Sequence, residues 1–384
     1  VTNRQECYTC HKVVTGKKKF SKCKSCHAIT YCSRECQKKD WPRHGWNCVP
    51  VMVTEIPGRG RGLIAAKDIM MGELIFIDKP VIEVNESKFL ANRETECKLL
   101  MKKVENLPSE AKLKFYRLKG YDDKSFEDLK SIKGELLATV NVFLKNSQDY
   151  SLYLNMALVN HSCAPNAGSG HLLEEDDAGK PYNRREIRAI KDISKGEEIT
   201  YCYFGDINNF CCSRQRRKMY MKNNFHLECN CDVCSGLNMD QENLAMELFD
   251  LLQTLPSPNH YSKGLSEWGR DAEKLEKIND LMQDFQLGNW SCKVMSMMSL
   301  VKTAQLARNQ DLVKKGLDMF KRLSEDIKIE EIGRLYENAR KVLAQWSKNL
   351  KSKKKPRRNE IEFFLVKNLL SEIKLSTTQS IEEG

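Results

Sequence analysis

Cysteine and histidine side chains near the start of the chain have the spacing of zinc ligands. They form four pairs whose members are separated by two or three residues, all within residues 7–48. A structural zinc ion takes four such ligands, so the four pairs supply two complete sets. The candidate ligands are Cys7, Cys10, Cys23, Cys26, Cys32, Cys36, His44 and Cys48. Because so short a segment buries little apolar surface, we expect metal binding to supply most of its folding free energy.

A second group of thiols lies much later in the chain. Cys229, Cys231 and Cys234 form a C-x-C-x2-C run, which is one ligand short of a zinc tetrahedron. Cys211 and Cys212 are candidates for the missing ligand. The chain has 16 cysteines, and their clustering favours zinc over a disulfide scaffold, whose cysteines would be spread along the whole chain.

Two segments carry polar and aromatic side chains suited to binding an organic ligand. The first, Val159–Asn166, contains Asn160 and His161, whose amide and imidazole groups can satisfy the edge of an adenine ring. The second contains Tyr201 and Tyr203, which alternate along a predicted strand and so point to one face. Taken singly, each has an ordinary structural explanation: a turn cap, a buried histidine and packed tyrosines.

Together, the two segments resemble the signature motifs of the SET family of protein lysine methyltransferases, which thread into a knot-like core and bind S-adenosylmethionine. The resemblance implies that Asn160 and His161 contact this cofactor. It also implies that Tyr203 faces the transferred methyl group as the catalytic residue and that Tyr201 lines the lysine channel. In relatives with a C-x-C-x2-C run, the fourth zinc ligand is the cysteine of the first motif, here Cys163, and the zinc folds the run over the cofactor.

Further cofactor contacts follow from the same resemblance. The glycine-rich turn before Leu63 matches the family's first cofactor-contacting loop, and an asparagine before an aromatic residue follows a predicted helical insert. Relatives often place an aromatic residue just before the first cysteine of the later run. This chain has Leu227 there, and Phe225 would take the role by a shift of two residues. The residues implied as cofactor contacts are Arg59, Gly60, Arg61, Asn141, Asn160, His161, Tyr203, Phe225 and Leu227.

The first cysteine group resembles a MYND zinc finger, including Tyr31 before one ligand and Trp41 among the last ones. The resemblance implies interleaved sites, with Cys7, Cys10, Cys32 and Cys36 on one zinc ion and Cys23, Cys26, His44 and Cys48 on the other. Spacing alone also allows a sequential pairing. Since MYND fingers usually bind proline-containing peptides, a protein partner is implied.

The order of these parts resembles the SMYD family, which combines SET and MYND domains. We expect a multidomain α+β protein with a MYND zinc finger at residues 1–49 and a β-rich SET fold of the β-clip type at 50–226, with a helical insert at about 87–145. A cysteine-rich post-SET segment at 227–236 and an all-α C-terminal domain at 237–384 would follow. The finger precedes Gly58, an order associated with an arthropod-type branch of the family.

Composition and charge limit the classes of partner to expect. The 384 residues are 41% hydrophobic and 30% charged, with a net charge of +11 that is concentrated in the finger. This charge is compatible with a weak nucleic-acid contact through the finger, although the sequence contains no basic helix of the recognition type. No apolar run approaches the length of a bilayer span, so no membrane partner is expected. We expect the protein in the nucleus and cytoplasm, and Lys351–Arg358 is either a nuclear import signal or an exposed basic linker.

These resemblances imply an S-adenosylmethionine-dependent protein-lysine N-methyltransferase that acts on histone or non-histone proteins and contains three structural zinc ions. Catalysis would be mainly positional, because the cofactor carries an activated methyl group and the enzyme must align the target amine with it. The amine must also lose a proton, which an apolar, tyrosine-walled channel favours. The alternative is a weakly active or inactive adaptor in transcriptional repression.

Overall fold

Short β-like runs bounded by glycine and proline form the strands of this chain, and longer runs with helical periodicity form its helices. The computed structural model describes residues 5–14, 19–24, 26–27, 29–44, 48–120, 133–175, 181–203, 211–254, 265–286, 288 and 290–351. The strands are β1 (Gln5–Glu6), β2 (Val13–Val14), β3 (Ser21–Lys22), β4 (Thr30–Tyr31), β5 (Val51–Ile56), β6 (Gly60–Ala65), β7 (Leu74–Asp78), β8 (Ile82–Glu83), β9 (Ser147–Gln148), β10 (Ser151–Leu152), β11 (Asn160–His161), β12 (Ala167–Glu175), β13 (Pro181–Ala189) and β14 (Glu198–Tyr201). The helices are α1 (Arg34–His44), α2 (Glu86–Ala91), α3 (Arg93–Glu105), α4 (Ser109–Tyr116), α5 (Gly134–Asn146), α6 (Arg214–Phe225), α7 (Asp232–Ser235), α8 (Met239–Gln253), α9 (Leu265–Asp284), α10 (Trp290–Leu306), α11 (Gln310–Ile327) and α12 (Glu330–Lys351), with a 3-10 turn at Met156–Leu158.

Two β-hairpins and one helix build the N-terminal module. β1 pairs with β2 and β3 with β4, both antiparallel, and α1 follows β4. Tyr31 joins the second hairpin to the helix, because its buried hydroxyl donates to Asp40 Oδ2 at 2.6 Å. In the described part of this module, the buried cluster around Tyr31 consists otherwise of Cys23 and Cys26. So small a core agrees with a fold that depends on metal.

Three small sheets form the central region. Their strand orders are β5-β6-β14-β11, β12-β13-β7 and β8-β10-β9. β11 and β14 run parallel, with Asn160 opposite Thr200 and His161 opposite Tyr201. A parallel pair needs a long connection, and the β12–β13 hairpin lies within it. The two ligand-binding segments predicted from the sequence therefore lie side by side.

The helices between β8 and β9 pack on one another around a separate apolar cluster. Phe89, Leu100, Phe115 and Phe143 are fully buried there, one from each of α2, α3, α4 and α5. Residues 121–132 of this insert lie outside the described part of the chain.

The C-terminal region is helical from α8 to α12. Asn238 caps α8 and Asn309 caps α11, each by accepting a backbone N–H from the first turn. α12 ends at Lys351, so the remainder of the predicted basic linker lies outside the described residues. None of the described helices is both long and apolar enough to cross a membrane.

These C-terminal helices dock on the hairpin of the central region. The indole N–H of Trp290 donates to the Ser169 carbonyl at 2.7 Å. A Cβ atom at Gly168 would lie 2.9 Å from Trp290 Cδ1, so this close approach requires glycine. Nearby, the Gly288 N–H donates to the Cys163 carbonyl at 2.7 Å. The finger, mixed central region and helical C-terminal region confirm the predicted multidomain α+β class.

Candidate active site

A polar network ties the first ligand-binding segment to the glycine-rich turn. The Asn160 amide donates to Glu198 Oε1 at 2.8 Å and to the Arg61 carbonyl at 3.3 Å. The Arg59 guanidinium contacts Glu198 Oε2 at 2.6 Å and also donates to the His161 carbonyl. A Cβ atom at Gly62 would lie 2.7 Å from the Asn160 amide nitrogen, so the turn can approach β11 only because glycine is there. Glu198 therefore fixes both Asn160 and Arg59.

His161 is held between the two segments by both of its ring nitrogens. Nδ1 lies 3.1 Å from the backbone nitrogen of Tyr203, which can only donate, so Nδ1 is the acceptor. The other nitrogen, Nε2, lies 3.4 Å from Cys163 Sγ and carries the proton of the neutral ring. Burial, opposed by Cys231 and assisted by Arg59, lowers the pKa of His161 to about 3, so the ring stays neutral at physiological pH.

Tyr203 lies just beyond β14, which corrects one prediction. The sequence pattern placed Tyr201 and Tyr203 on one strand, but β14 ends at Tyr201. The physical reason is that the Tyr203 N–H bonds to the His161 ring rather than to a neighbouring strand. The two tyrosine rings nevertheless lie 6.4 Å apart, centroid to centroid.

The phenol of Tyr203 is oriented and stays protonated. Its hydroxyl donates to the Val159 carbonyl at 2.9 Å, which leaves the oxygen lone pairs able to accept. Burial raises the pKa of Tyr203 to about 12, with Glu198 adding to this effect and Arg59 opposing it. The hydroxyl is therefore a positioned neutral group rather than a base at neutral pH.

Aromatic rings surround this phenol. Its centroid lies 5.2 Å from the His161 ring and 5.4 Å from the Phe225 ring. Phe225 is the last residue of α6, and the next residue, His226, has a left-handed backbone with φ of 51° that ends the helix. Leu227 packs against the buried cysteine cluster. Phe225 thus places an aromatic ring beside Tyr203, and its contact with the cofactor stays a prediction.

A second set of contacts extends from the glycine-rich turn towards α5. The Arg61 guanidinium donates to the Arg117 carbonyl, and the backbone carbonyl of Arg61 accepts from the Asn160 amide. A Cβ atom at Gly60 would lie 3.6 Å from Lys119 Nζ, and one at Gly120 would lie 3.3 Å from Asn141 Cβ.

Asn141 supplies an observation that fits a bound polar ligand. It is 2% exposed, and its Oδ1 atom accepts no hydrogen bond from any described residue. An unpaired buried acceptor is costly, and a donor on a ligand would satisfy it. With the Asn160 amide and the Arg59 guanidinium, the residues present offer the mixture of amide and charged groups that S-adenosylmethionine requires. These cofactor contacts remain predictions.

Four thiols from the central and post-SET segments form one compact set. Cys163, Cys229, Cys231 and Cys234 are all buried, and their sulfur atoms lie within 4.8 Å of one another. Cys163 Sγ lies 3.8 Å from Cys229 Sγ and 3.5 Å from Cys234 Sγ. Tetrahedral zinc with bonds of about 2.3 Å separates its sulfur ligands by about 3.8 Å.

The close approach of these thiols favours a bound cation. Contacts with Cys229, Cys231 and Cys234 raise the pKa of Cys163 well above its usual range, because thiolates held this close repel one another. Cys163, rather than Cys211 or Cys212, completes the set.

The finger contains two further thiol sets. Cys7, Cys10, Cys32 and Cys36 come together in one set, and Cys23, Cys26 and Cys48 in the other. Sulfur distances of 3.5 Å for Cys10–Cys32 and 3.7 Å for Cys23–Cys48 suit zinc. The sets draw on alternating pairs along the chain, which is the interleaved arrangement. The eighth predicted ligand, His44, has a side chain outside the described residues. The prediction that the cysteine sets fit three zinc ions is confirmed.

Arg217 is a buried cation that the sequence did not reveal. Its side chain is 0% exposed and donates to the Cys212 carbonyl and to Glu242 on α8. Burial alone would lower the pKa of Arg217, but Glu242 and the thiols Cys163 and Cys234 raise it, so the guanidinium stays charged. A zinc ion with four thiolates carries a net charge of about −2, which a fixed cation offsets. Arg217 is one of several basic residues on the polar helix α6, so the sequence gives no sign that it is buried.

Comparison with known proteins assigns both modules. Residues 7–48 match the MYND finger family and residues 60–204 match the SET domain family, with the finger first. The human histone-lysine N-methyltransferase SMYD3 is 25% identical over 275 residues, covering 61% of this chain and 53% of SMYD3. The human N-lysine methyltransferase SMYD2 is 25% identical over 294 residues, covering 72% of this chain and 63% of SMYD2. This chain thus spans little more than half the length of these relatives.

Among solved structures, the Neurospora SET domain protein DIM-5, a histone lysine methyltransferase, is similar to part of the chain. It is 22% identical, covers 46% of this chain and 63% of its own, and gives a TM-score of 0.21.

Proposed function

The chain belongs to the SMYD family of SET and MYND domain proteins, and from that premise we propose that it is an S-adenosylmethionine-dependent protein-lysine N-methyltransferase. The observation that carries the proposal is the meeting of its two motif segments. The Tyr203 hydroxyl lies 2.9 Å from the Val159 carbonyl, and Cys163 lies 3.8 Å from Cys229 across the thiol set. The phenol, the adenine-binding candidates and the post-SET segment are thereby brought to one place.

The residues of this chain would act by binding and orientation. The cofactor supplies a methyl group activated by a sulfonium. Asn160, Arg59 and Asn141 would hold it. Tyr203, which remains neutral, would accept a hydrogen bond from the substrate amine and set its direction.

The aromatic wall would also favour loss of the amine proton. Tyr201, Tyr203 and Phe225 lie close together and would exclude water from the lysine channel, and desolvation lowers the pKa of a lysine from its usual value of about 10.4. The proton would then leave to solvent before transfer. Neutral His161 positions the Tyr203 backbone without itself exchanging a proton.

The proposed substrates are lysine-containing histone or non-histone proteins, as the names of SMYD3 and SMYD2 suggest. We propose that the MYND finger recruits proline-containing peptides, and that its excess of lysine and arginine permits at most weak nucleic-acid contact. We also propose residence in the nucleus and cytoplasm. These assignments rest on family resemblance and charge.

Calorimetry and a radiolabelled methyl-transfer assay on a lysine peptide array test the proposal together. We expect the protein to bind S-adenosylmethionine and methylate peptides. Asn160→Ala should weaken cofactor binding, whereas Tyr203→Phe should bind the cofactor and lose transfer. Tyr116→Phe, on an exposed tyrosine of α4, is the matched control. Absence of cofactor binding by the unmodified chain would overturn the proposal and favour the adaptor.

A further inference from the structure

A cavity of about 610 Å³ lies where the central region meets the C-terminal helices. Its walls come from Ile190 and Lys191 after β13, from the end of α9 and the segment after it, and from α10 and α11. None of the residues that line it belongs to the candidate active site or to a thiol set. Small-molecule sites in proteins generally occupy about 300–1,000 Å³, so the cavity has the size of a ligand site.

Large apolar side chains form the inner wall of this cavity. The large apolar side chains of the wall that are less than a tenth exposed are Phe285, Trp290, Met297, Met319 and Ile327. The hydrogen bond from Trp290 to the Ser169 carbonyl fixes the indole ring in the wall. Methionine side chains beside it are flexible and adapt to ligands of different shape. The wall therefore suits an apolar group.

Two partly buried lysines face the same cavity. Lys191 Nζ lies 3.1 Å from Gln286 Oε1, and Lys293 Nζ lies 3.4 Å from the Gln283 carbonyl. Neither ammonium forms an ion pair with a carboxylate in the described part of the chain. Burial and the charge of Lys191 lower the pKa of Lys293 to about 8, although Asp284 acts in the opposite direction. The two ammonium groups thus repel each other, and a bound anion would offset that repulsion.

The other charged residues around the cavity do not neutralise the two lysines. Arg322 and Asp326 on α11 and Asp284 at the end of α9 also line it. Arg322 forms no ion pair with any described residue. With Lys191 and Lys293, the lining therefore carries three cations against two carboxylates.

We propose that this cavity binds a small amphipathic anion, a carboxylate or phosphate monoester attached to an apolar group. Its charged end lies between Lys191 and Lys293, and its apolar part lies on Trp290 and the neighbouring methionines. The site is separate from the proposed methyl-transfer site, so it stands even if the chain transfers no methyl group.

Calorimetry with octanoate and octyl phosphate tests this site on the whole chain. We expect one molecule of either anion to bind, and the tighter of the two identifies the preferred head group. Octan-1-ol, which lacks the charge, and inorganic phosphate, which lacks the apolar body, should each bind about tenfold more weakly or worse. Affinity should fall as pH rises from 7 to 9, because Lys293 loses its proton near its pKa of about 8. Equal binding of octanol and octanoate would overturn the proposal.

Variants of the two cavity lysines test where the anion binds. Lys191→Gln and Lys293→Gln should each weaken octanoate binding by about tenfold or more, the usual effect of a lost charge-assisted hydrogen bond. Lys195→Gln, on an exposed lysine outside the cavity, is the matched control and should bind as the parent does. A measurement without mutation is the acetylation rate of Lys293 by mass spectrometry, which octanoate should slow relative to Lys195. Unchanged affinity in both variants, or unchanged acetylation, would refute the site.

Discussion

The Nε2 atom of His161 lies 3.4 Å from the Sγ atom of Cys163, which joins the candidate cofactor site to the post-SET zinc site. The proton on Nε2 points towards a sulfur that would be a zinc-bound thiolate. Hydrogen bonds to ligand atoms orient them and tune metal affinity. One side chain thus orders the Tyr203 backbone on one side and a zinc ligand on the other.

Replacement of His161 should therefore loosen zinc as well as weaken the cofactor site. For His161→Leu we expect zinc release to a chromogenic chelator to be faster by about tenfold or more, the size of effect typical of groups next to metal ligands. His226→Asn is the control, since it lies near the zinc run and asparagine tolerates its left-handed backbone. Release at the parent rate in His161→Leu would show that the N–H to sulfur contact contributes nothing.

The pH dependence of methyl transfer should not reflect titration of Tyr203. Because the pKa of Tyr203 is raised to about 12, the phenol is protonated on both sides of neutrality and contributes no inflection between pH 6 and 9. The rate should instead rise with pH as the substrate amine deprotonates. Tyr203→Phe should lower kcat by about 10²-fold or more at every pH, because the amine loses its orientation. An inflection near pH 8 that disappears in Tyr203→Phe would mean that the tyrosine titrates after all.

Loss of one zinc set should have different effects in the two parts of the chain. Metal analysis of the parent should give three zinc ions. Cys234→Ser should remove one and abolish cofactor binding, because the post-SET segment is then no longer tied to Cys163. Cys36→Ser in the finger should also lower the zinc content but leave cofactor binding intact. Equal loss of cofactor binding in both variants would indicate that the finger supports the central fold.

Replacing Arg217 alone should destabilise the folded protein more than replacing it together with Glu242. Arg217→Met leaves the largely buried Glu242 without its counter-charge, and breaking a buried ion pair in this way costs about 3–5 kcal/mol. Paired with Glu242→Leu, the same change should cost less. Thermal melting with zinc quantitation measures both. A double variant that melts no higher than the single one would place the role of Arg217 with the thiolates rather than with Glu242.

Cysteine spacing was enough to predict the zinc ligands of the finger, because a structural zinc ion takes four ligands, but the interleaved grouping came from the resemblance to a MYND finger. The resemblance to SET motifs pointed to Cys163, and the thiol distances agree with it. The strand assignment of Tyr203 was wrong, because a hydrogen bond to an imidazole 42 residues away replaced the regular ladder. Periodicity along the chain contains no information about such a partner.

The sequence did not indicate the role of Glu198 in the site, for a related reason. In sequence it is one of two acidic residues in a turn, which is the usual composition of an exposed loop. Its role depends on Asn160 and Arg59, which lie 38 and 139 residues away. The helical insert, in contrast, follows from local apolar periodicity, since its cluster forms between helices that are neighbours in sequence.

The sequence separation of 71 residues from Cys163 to Cys234 also determines when this zinc site can form during synthesis. A ribosome adds about 5–20 residues per second, so Cys163 is made roughly 4–14 s before the last thiol of its set. The finger, whose thiols all precede residue 49, can acquire both of its ions earlier. During translation, the finger can thus fold around its zinc ions while the part of the chain proposed to transfer methyl groups still lacks its last zinc ligand.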